Sequence, residues 1–261
     1  MDIVKYYVTK NDCYRSGRKC VKKGMQLHTI GTAQNTAKAV ADYWNQPGIE
    51  ACVHYVVDAE REGYVLQLLP DDYRAWADAG YGNNNLLTFE IAESDSMKYT
   101  SGAAFAVTNE EKFKNDILRG YNNAVLFCAQ KCREYGWNPQ KRLENGLFVI
   151  SSHDEGRRLG VSSPHVDPTH VWKRLGLTMD QFRRDVAEAM KEGQGGAKEE
   201  QKFYRVGTSW NKKKHRANHQ HGAFLSLSNA KRDAKAAAKE QQKTYRVYDS
   251  TGKKVYTARY K

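Results

Sequence analysis

SSHDEGRRLGVSSPHVDPTHVW, from Ser151 to Trp172, is the stretch whose reading decides the fold and the chemistry of this chain. It follows the apolar run LFVI that starts at Leu147, and it is too rich in Gly, Ser and Pro for a helix interior. The expectation is a loop leaving the end of a buried strand. The loop holds His153, Asp154, Glu155, His165, Asp167 and His170, including three of the eight histidines in the chain. A zinc ion that does chemistry takes three nitrogen, sulfur or oxygen ligands and keeps a fourth position open for water. This loop can supply two ligands, so a third has to come from elsewhere. A solvated polar loop is the plainer reading, and the rest of the chain changes the weighting between them.

Upstream, IVKYYVT reads as an opening strand, and GMQLHTIG places His28 at the end of a short extended piece between glycines. NTAKAVADYWNQ carries a helical apolar stripe at Ala37, Val40, Ala41 and Trp44. ACVHYVVD and REGYVLQLLP are predicted to pair as a hairpin, with His54 in the first of them either a rival metal ligand or, the favoured reading, a core histidine bonded to the backbone. DDYRAWADAGYGNNN reads as a long polar and aromatic loop, and LLTFEIA as a strand with Glu90 near its middle. That carboxylate faces either water or a cleft. NEEKFKNDILRGYNNAVLFCAQKCREYG reads as one long helix, capped by Thr108 or Asn109, with acidic residues in its first turn and Gly136 at its end. Its buried stripe is expected at Phe113, Ile117, Tyr121, Ala124, Val125 and Cys128. Thr178 to Met190 reads as a short helix with a Thr178–Gln181 capping box. Strands interleaved with helices indicate an α/β domain over residues 1–190, a central mixed β-sheet flanked by helices; the candidate ligands would make a zinc cleft in it.

The 261 residues leave room for a second domain. KEGQGGAKEEQ, residues 191–201, reads as a flexible linker. Residues 202–261 read as a small α+β domain of ββαββ order, in which the run from Lys212 to His221 is either a loop or unstructured. From Lys191 onward there are 18 Lys and Arg against 6 acidic residues, so the whole formal charge of +12 belongs to this part and the first domain is neutral. An anionic polymer, a nucleic acid or a membrane surface is therefore a partner for the tail alone. No apolar run approaches the roughly 18 residues of a membrane span, and the N-terminal residues lack the apolar core of a signal peptide. Five cysteines in a chain of this length are no disulfide scaffold, and Cys128 is expected to be a buried apolar residue.

His28, His153 and Asp167 form a His-His-carboxylate set with one site left for water. Glu90 is the candidate to take a proton from that water and pass it to a leaving nitrogen. His165 is the candidate donor to a developing oxyanion. His170 is expected to be a surface or packing residue.

On LHTIG at His28, VHYVVDAEREGYVLQLLPDDYRAWADAG, LLTFEIA and SSHDEGRRLGVSSPHVDPTHVW, the chain resembles the zinc-dependent N-acetylmuramoyl-L-alanine amidases of phage endolysins, autolysins and peptidoglycan recognition proteins. The likeness covers roughly residues 20 to 175. It implies zinc on His28, His153 and Asp167, catalysis by Glu90 and His165, and a substrate groove along Trp76. Asp78 stands where the family often has a histidine, and the spacing from His153 to Asp167 is longer than in compact members. His165 as third ligand with Asp167 as its orienter is the alternative register. The implied reaction is hydrolysis of the amide between N-acetylmuramic acid and L-alanine in peptidoglycan.

FYRV, GAFLSLSNAKRDAKAAAKE and YRVYDSTGKKVY are similar to small wall-binding modules related to sporulation-type repeats, which implies an anionic wall polymer as partner for residues 202–261. The alternatives are a recognition module that binds muropeptide without cutting it, and a nucleic-acid-binding protein. No specific nucleic-acid-reading motif is present. The lack of a signal peptide fits an endolysin held in the host cytoplasm until holin-dependent release to the wall.

Overall fold

In the computed structural model the described residues are 1–192, 204–213, 216–224 and 227–260. They divide into two compact units, Met1–Met190 and Lys191–Lys261. The first unit begins β1 (Asp2–Lys5), α1 (Asp12–Ser16), β2 (Met25–Thr29), α2 (Ala37–Trp44), β3 (Tyr55–Val57), β4 (Tyr64–Gln67), α3 (Tyr81–Asn85) and β5 (Leu87–Ile91). It continues β6 (Met97–Ser101), β7 (Ala104–Val107), α4 (Glu110–Tyr135), β8 (Ile150–Ser152), α5 (His153–Arg158), α6 (Thr169–Trp172) and α7 (Met179–Glu192).

Six strands form one mixed sheet in the order β1-β4-β3-β5-β2-β8. The β3–β4 hairpin is antiparallel, and the other neighbours run parallel. Every residue of β2 is buried, as parallel strands covered on both faces require. Alternation along β3 shows what covers each face. Tyr55 meets Phe127 of α4 with ring centroids 4.7 Å apart, and Phe89 of β5 meets the same ring at 5.3 Å. Val56 points the other way, into a cluster with Ala37, Val40 and Ala41 of α2. His28 and Glu90 are register partners, and Val56 is the partner of Glu90 on the next strand, so all three share the α2 face.

The long helix α4 forms for the reasons legible in the sequence. Asn109 accepts from the backbone of Lys112, Glu110 and Glu111 occupy the first turn, and Gly136 closes the helix at φ 66°. The expected stripe from Phe113 to Cys128 is buried.

Three local expectations need correcting. The strand expected at LFVI lies further on, at Ile150–Ser152. The stretch after it is not all loop. Ser152 accepts from the backbone of Glu155, and the Glu155 carboxylate accepts from the backbone of Ser152, a reciprocal cap that starts α5 at His153. The third concerns the polar loop before β5, which contains the short helix α3. The β6–β7 hairpin had no counterpart in the sequence reading. Of the Thr178–Gln181 box, the structure contains the bond from the Gln181 backbone to Thr178 Oγ1, at 3.2 Å.

The second unit contains β9 (Tyr204–Gly207), β10 (Ser209–Asn211), β11 (Arg216–Asn218), β12 (Gly222–Phe224), α8 (Leu227–Glu240), β13 (Tyr245–Tyr248) and β14 (Lys254–Ala258). A sheet ordered β12-β9-β13-β14 takes α8 between its second and third strands in sequence, and β10–β11 is a separate small hairpin. This is the ββαββ order with one hairpin inserted. Of the expected linker, residues 191 and 192 belong to α7, and 193–201 lie outside the described residues. Part of the run from Lys212 to His221 forms β11, and 214–215 lie outside the described residues.

Gly24 immediately precedes β2, and a Cβ there would lie 2.2 Å from the carbonyl oxygen of Val149. That oxygen accepts from Met25 at 2.7 Å and cannot retreat without breaking the β2–β8 ladder. Gly24→Ala should therefore cost about 1–3 kcal/mol, read as a lower urea midpoint with an unchanged slope.

Candidate metal centre

In a sheet of this kind the carboxyl ends of the parallel strands are where loops converge on a ligand. His28 is the penultimate residue of β2, Glu90 the penultimate residue of β5, and His153 follows β8 directly. The loop after α5 returns to them. The backbone N–H of Asp154 donates to the carbonyl of Asp167 at 3.1 Å, and the N–H of Thr29 donates to Asp167 Oδ2 at 3.3 Å.

The result is one convergence of metal-ligating groups among the described residues: His28, His153 and Asp167, all buried, with ligand atoms within 4.8 Å of one another. His28 Nδ1 lies 3.3 Å from Asp167 Oδ2, and His153 Nδ1 lies 3.3 Å from Asp167 Oδ1. That is long for an N–H···O hydrogen bond. It matches the edge of a tetrahedron whose centre-to-corner bonds are about 2.0–2.1 Å, the zinc–ligand range. Burial works against the Asp167 carboxylate, but its contacts with His153 and His28 hold it well below the usual carboxylate range.

Two more carboxyls crowd the same place. Glu90 Oε2 is buried and, among the described residues, has no hydrogen-bond partner. Burial first, then the charges of Asp167 and Glu93, push Glu90 well above the ordinary glutamate value. Glu93 is fully buried and accepts the Tyr99 hydroxyl on both oxygens, at 2.8 and 2.9 Å. Burial pushes it up to about 7. Among the described residues no lysine or arginine pairs with Asp167, Glu90 or Glu93. Two imidazoles and an ionised carboxylate, with further carboxyls and no basic side chain, make a donor set suited to a dication. The residues fit a zinc ion.

The loop that carries these ligands is held from both sides. Arg183 of α7 donates to both Glu155 oxygens at 3.0 Å and to the Ile150 carbonyl at 3.1 Å, fixing the first turn of α5. His153 Nε2 lies 2.9 Å from Ser163 Oγ, which lies 3.1 Å from His165 Nδ1. The His165 ring stands 4.9 Å from that of His153, edge to face, and is exposed. The convergent group thus takes Asp167 and leaves His165 to Ser163, which disfavours the alternative register.

The residues expected along the substrate groove fare differently. The Trp76 backbone bridges to Cys52, and its side chain packs half-buried against the α2 core cluster. Asp78 is buried and its carboxylate is fully engaged. It accepts from the backbones of Gly80, Gly82 and Asn83 at 2.8–2.9 Å and from Ser162 Oγ at 2.8 Å. Asp78 is the hub of its own loop, and its carbonyl accepts from the backbone of Ser163 at 2.8 Å.

His54 is a core histidine, as expected. Its Nδ1 accepts from Thr88 at 3.0 Å and its Nε2 lies 2.7 Å from the Tyr73 carbonyl, with burial lowering it to about 4. His170 packs beneath β6, its Nε2 2.8 Å from the Tyr99 hydroxyl. Ser163, Glu93 and Tyr99 were missed. Glu93 sits three residues past Glu90, a spacing that would have suggested a second carboxyl at the same strand end. Nothing local marked Tyr99.

The sequence profile of a family described as N-acetylmuramoyl-L-alanine amidase matches residues 18–170. Among solved structures, the Staphylococcus aureus hydrolase AmiA in complex with its ligand is similar at 21% identity and a TM-score of 0.54, covering 75% of this chain and 87% of its own. PlyL is similar at 19% identity and 0.51, covering 71% and 97%. The PlyG catalytic domain is similar at 19% and 0.50, covering 73% and 96%. At these identities the likeness speaks for the fold. No curated protein matches the chain.

Ser163 is the side chain shared by the His153 and His165 rings. Ser163→Ala should weaken zinc binding about 10- to 100-fold, the usual cost of losing a partner that orients a ligand, measured by competition with a chromophoric chelator. Unchanged affinity would mean that the ring needs no such support.

Proposed function

The chain belongs to the N-acetylmuramoyl-L-alanine amidase family, and we propose that it is a zinc-dependent peptidoglycan hydrolase cutting the amide between the lactyl group of N-acetylmuramic acid and L-alanine. The observation that carries this reading is the convergence of His28, His153 and Asp167 beside a buried Glu90 oxygen that has no partner. Zinc would be held by the two Nδ1 atoms and the Asp167 carboxylate, and when bound it supplies Lewis acidity and lowers the pKa of water in its open position.

The remaining roles belong to the chain's own side chains. The bare Oε2 of Glu90 takes the proton from the attacking water. The water oxygen bonds to the carbonyl carbon, the C–N bond breaks, and Glu90 returns the proton to the departing nitrogen of L-alanine. If His153 Nδ1 faces the metal, its Nε2–H donates to Ser163 Oγ, and the Ser163 hydroxyl donates to His165 Nδ1. The His165 proton then sits on Nε2, leaving that atom as a donor for the carbonyl oxygen as charge develops. This assignment of protons follows the hydrogen-bond network.

The setting we propose is lysis: an endolysin that leaves the host cytoplasm through a holin-dependent route and acts at the bacterial wall, with residues 202–261 engaging an anionic wall polymer. The strongly basic composition of those residues supports that part of the reading.

Purified walls treated with the zinc-loaded chain should release free stem peptides and new L-alanine amino ends. Glu90→Gln should keep one zinc per chain and lose about 10²–10⁴-fold in turnover. His28→Ala should lose both zinc and turnover. New sugar reducing ends would show that the bond is wrong, and bound zinc without any release would leave a recognition module.

A further inference from the structure

The sheet of the second unit has two unlike faces. Register pairs and strand alternation put Val206, Phe224, Tyr245, Val247 and Ala258 on one side, all buried. There they meet the buried alanines of α8, Ala230, Ala234, Ala237 and Ala238. A Cβ on Gly222, on the same side, would run into Asp233 of α8 at 3.1 Å. Arg205, Arg246, Tyr248 and Lys254 fall on the opposite side.

The β10–β11 hairpin lies on that opposite side. A Cβ on Gly207 would meet Ala217 Cβ at 2.6 Å. The Trp210 ring stands 5.6 Å from Tyr248, and a Cβ on Gly252 would meet its indole nitrogen at 2.2 Å, so the indole rests flat on the closing turn. Arg246 donates to the Thr208 carbonyl and so pins the hairpin down. Lys212 and Lys213, at the hairpin turn, and Lys254 are exposed.

Both sides carry basic residues, α8 included, and what differs is where the acidic ones lie. Strands β9 to β14 contain no Asp or Glu. Asp233 and Glu240 lie on α8. Asp249, in the closing turn, is engaged by the backbone N–H groups of Thr251 and Lys253 and by the Thr251 hydroxyl. Among the described residues this face therefore offers the exposed Lys212, Lys213 and Lys254 around the half-exposed edge of one tryptophan, with Asp249 of the closing turn held by its own turn.

We propose that this face, with Lys212, Lys213 and Lys254 around Trp210, is the binding surface for a phosphodiester-linked anionic polymer of the bacterial wall. Spaced cations suit a polymer whose charge repeats along a chain, because each contact is weak and the sum is strong. A single aromatic edge is a poor platform for single-stranded nucleic acid, which stacks successive bases on a row of rings. The choice of a wall polymer rests on the amidase reading of the first unit. The existence of the binding face does not.

The test uses the full chain carrying His28→Ala, so that walls stay uncut while binding is measured, and hydrolysis by the unaltered chain is assayed separately. Cosedimentation is run on purified walls before and after hydrofluoric acid removes their phosphodiester polymer, with double-stranded DNA as a competitor. Stripping the polymer should weaken binding by about tenfold or more. Lys212→Gln, Lys213→Gln and Lys254→Gln together should do the same on intact walls and make the salt dependence shallower by about two to three charges. Arg232→Gln, Lys235→Gln and Lys239→Gln remove equal charge from exposed positions of α8 and should change binding less than about twofold. Equal weakening by both triple variants would make net charge the cause and overturn the face. Undiminished binding to stripped walls would overturn the polymer, and preferential capture by DNA would replace it.

Discussion

Both imidazoles of the candidate centre turn towards one carboxylate, and the placement of Asp167 is the constraint on which the rest of the first unit depends. A buried carboxylate is stable only when cations or donors surround it. Here His28, His153 and the backbone of Thr29 do so. The three groups come from the end of β2, the first turn of α5 and the far end of the loop after it, so their meeting fixes how that loop can run. The same arrangement leaves Glu90 beside it with a bare oxygen. An unpaired buried acceptor costs stability. It persists where chemistry uses it, and the proposed base role gives that oxygen its use.

Most of the surrounding polar structure serves to hold that loop. The capping box at Ser152 and Glu155 starts α5 at His153, and Arg183 ties the same Glu155 to α7. On the other side Asp78 gathers three backbone N–H groups of its own loop and reaches Ser162, which also accepts from Gln26 of β2 at 3.1 Å. The close approach there is strict: a Cβ on Gly156 would meet Ser162 Oγ at 2.2 Å. Asp78 thus supports Ser163, and through it the rings of His153 and His165. Its influence on the site passes through the backbone.

The second unit solves a different problem with less core. A four-stranded sheet can bury one face under a single helix, and the alanine row of α8 lets that helix lie close. Among the described residues, the other face has a two-stranded hairpin over part of it, pinned by Trp210 and Arg246. Strands β9 to β14 carry no acidic residue, and the proposed polyanion surface draws on that.

The sequence alone determined the parts of this protein that depend on local patterning. Alternation and apolar runs gave the mixed sheet and its helices, Asn109 and Gly136 marked the ends of α4, and the charge count assigned the basic excess to the tail. Residue chemistry and resemblance brought His28, His153, Asp167 and Glu90 together as candidates, and the fold places them at one end of neighbouring strands. Tertiary structure decided whatever depends on which segments meet. Asp78 became a loop hub because Ser162 and three N–H groups converge on it. Tyr99 entered the neighbourhood of the site because a hairpin with weak periodicity folds over Glu93. The short helix at His153 was legible in principle, since Ser152 and Glu155 have the spacing of a capping box. It went unread because a Gly- and Ser-rich composition argues for a loop, and a six-residue helix gains its stability from Arg183 and the sheet, contacts that no local pattern encodes.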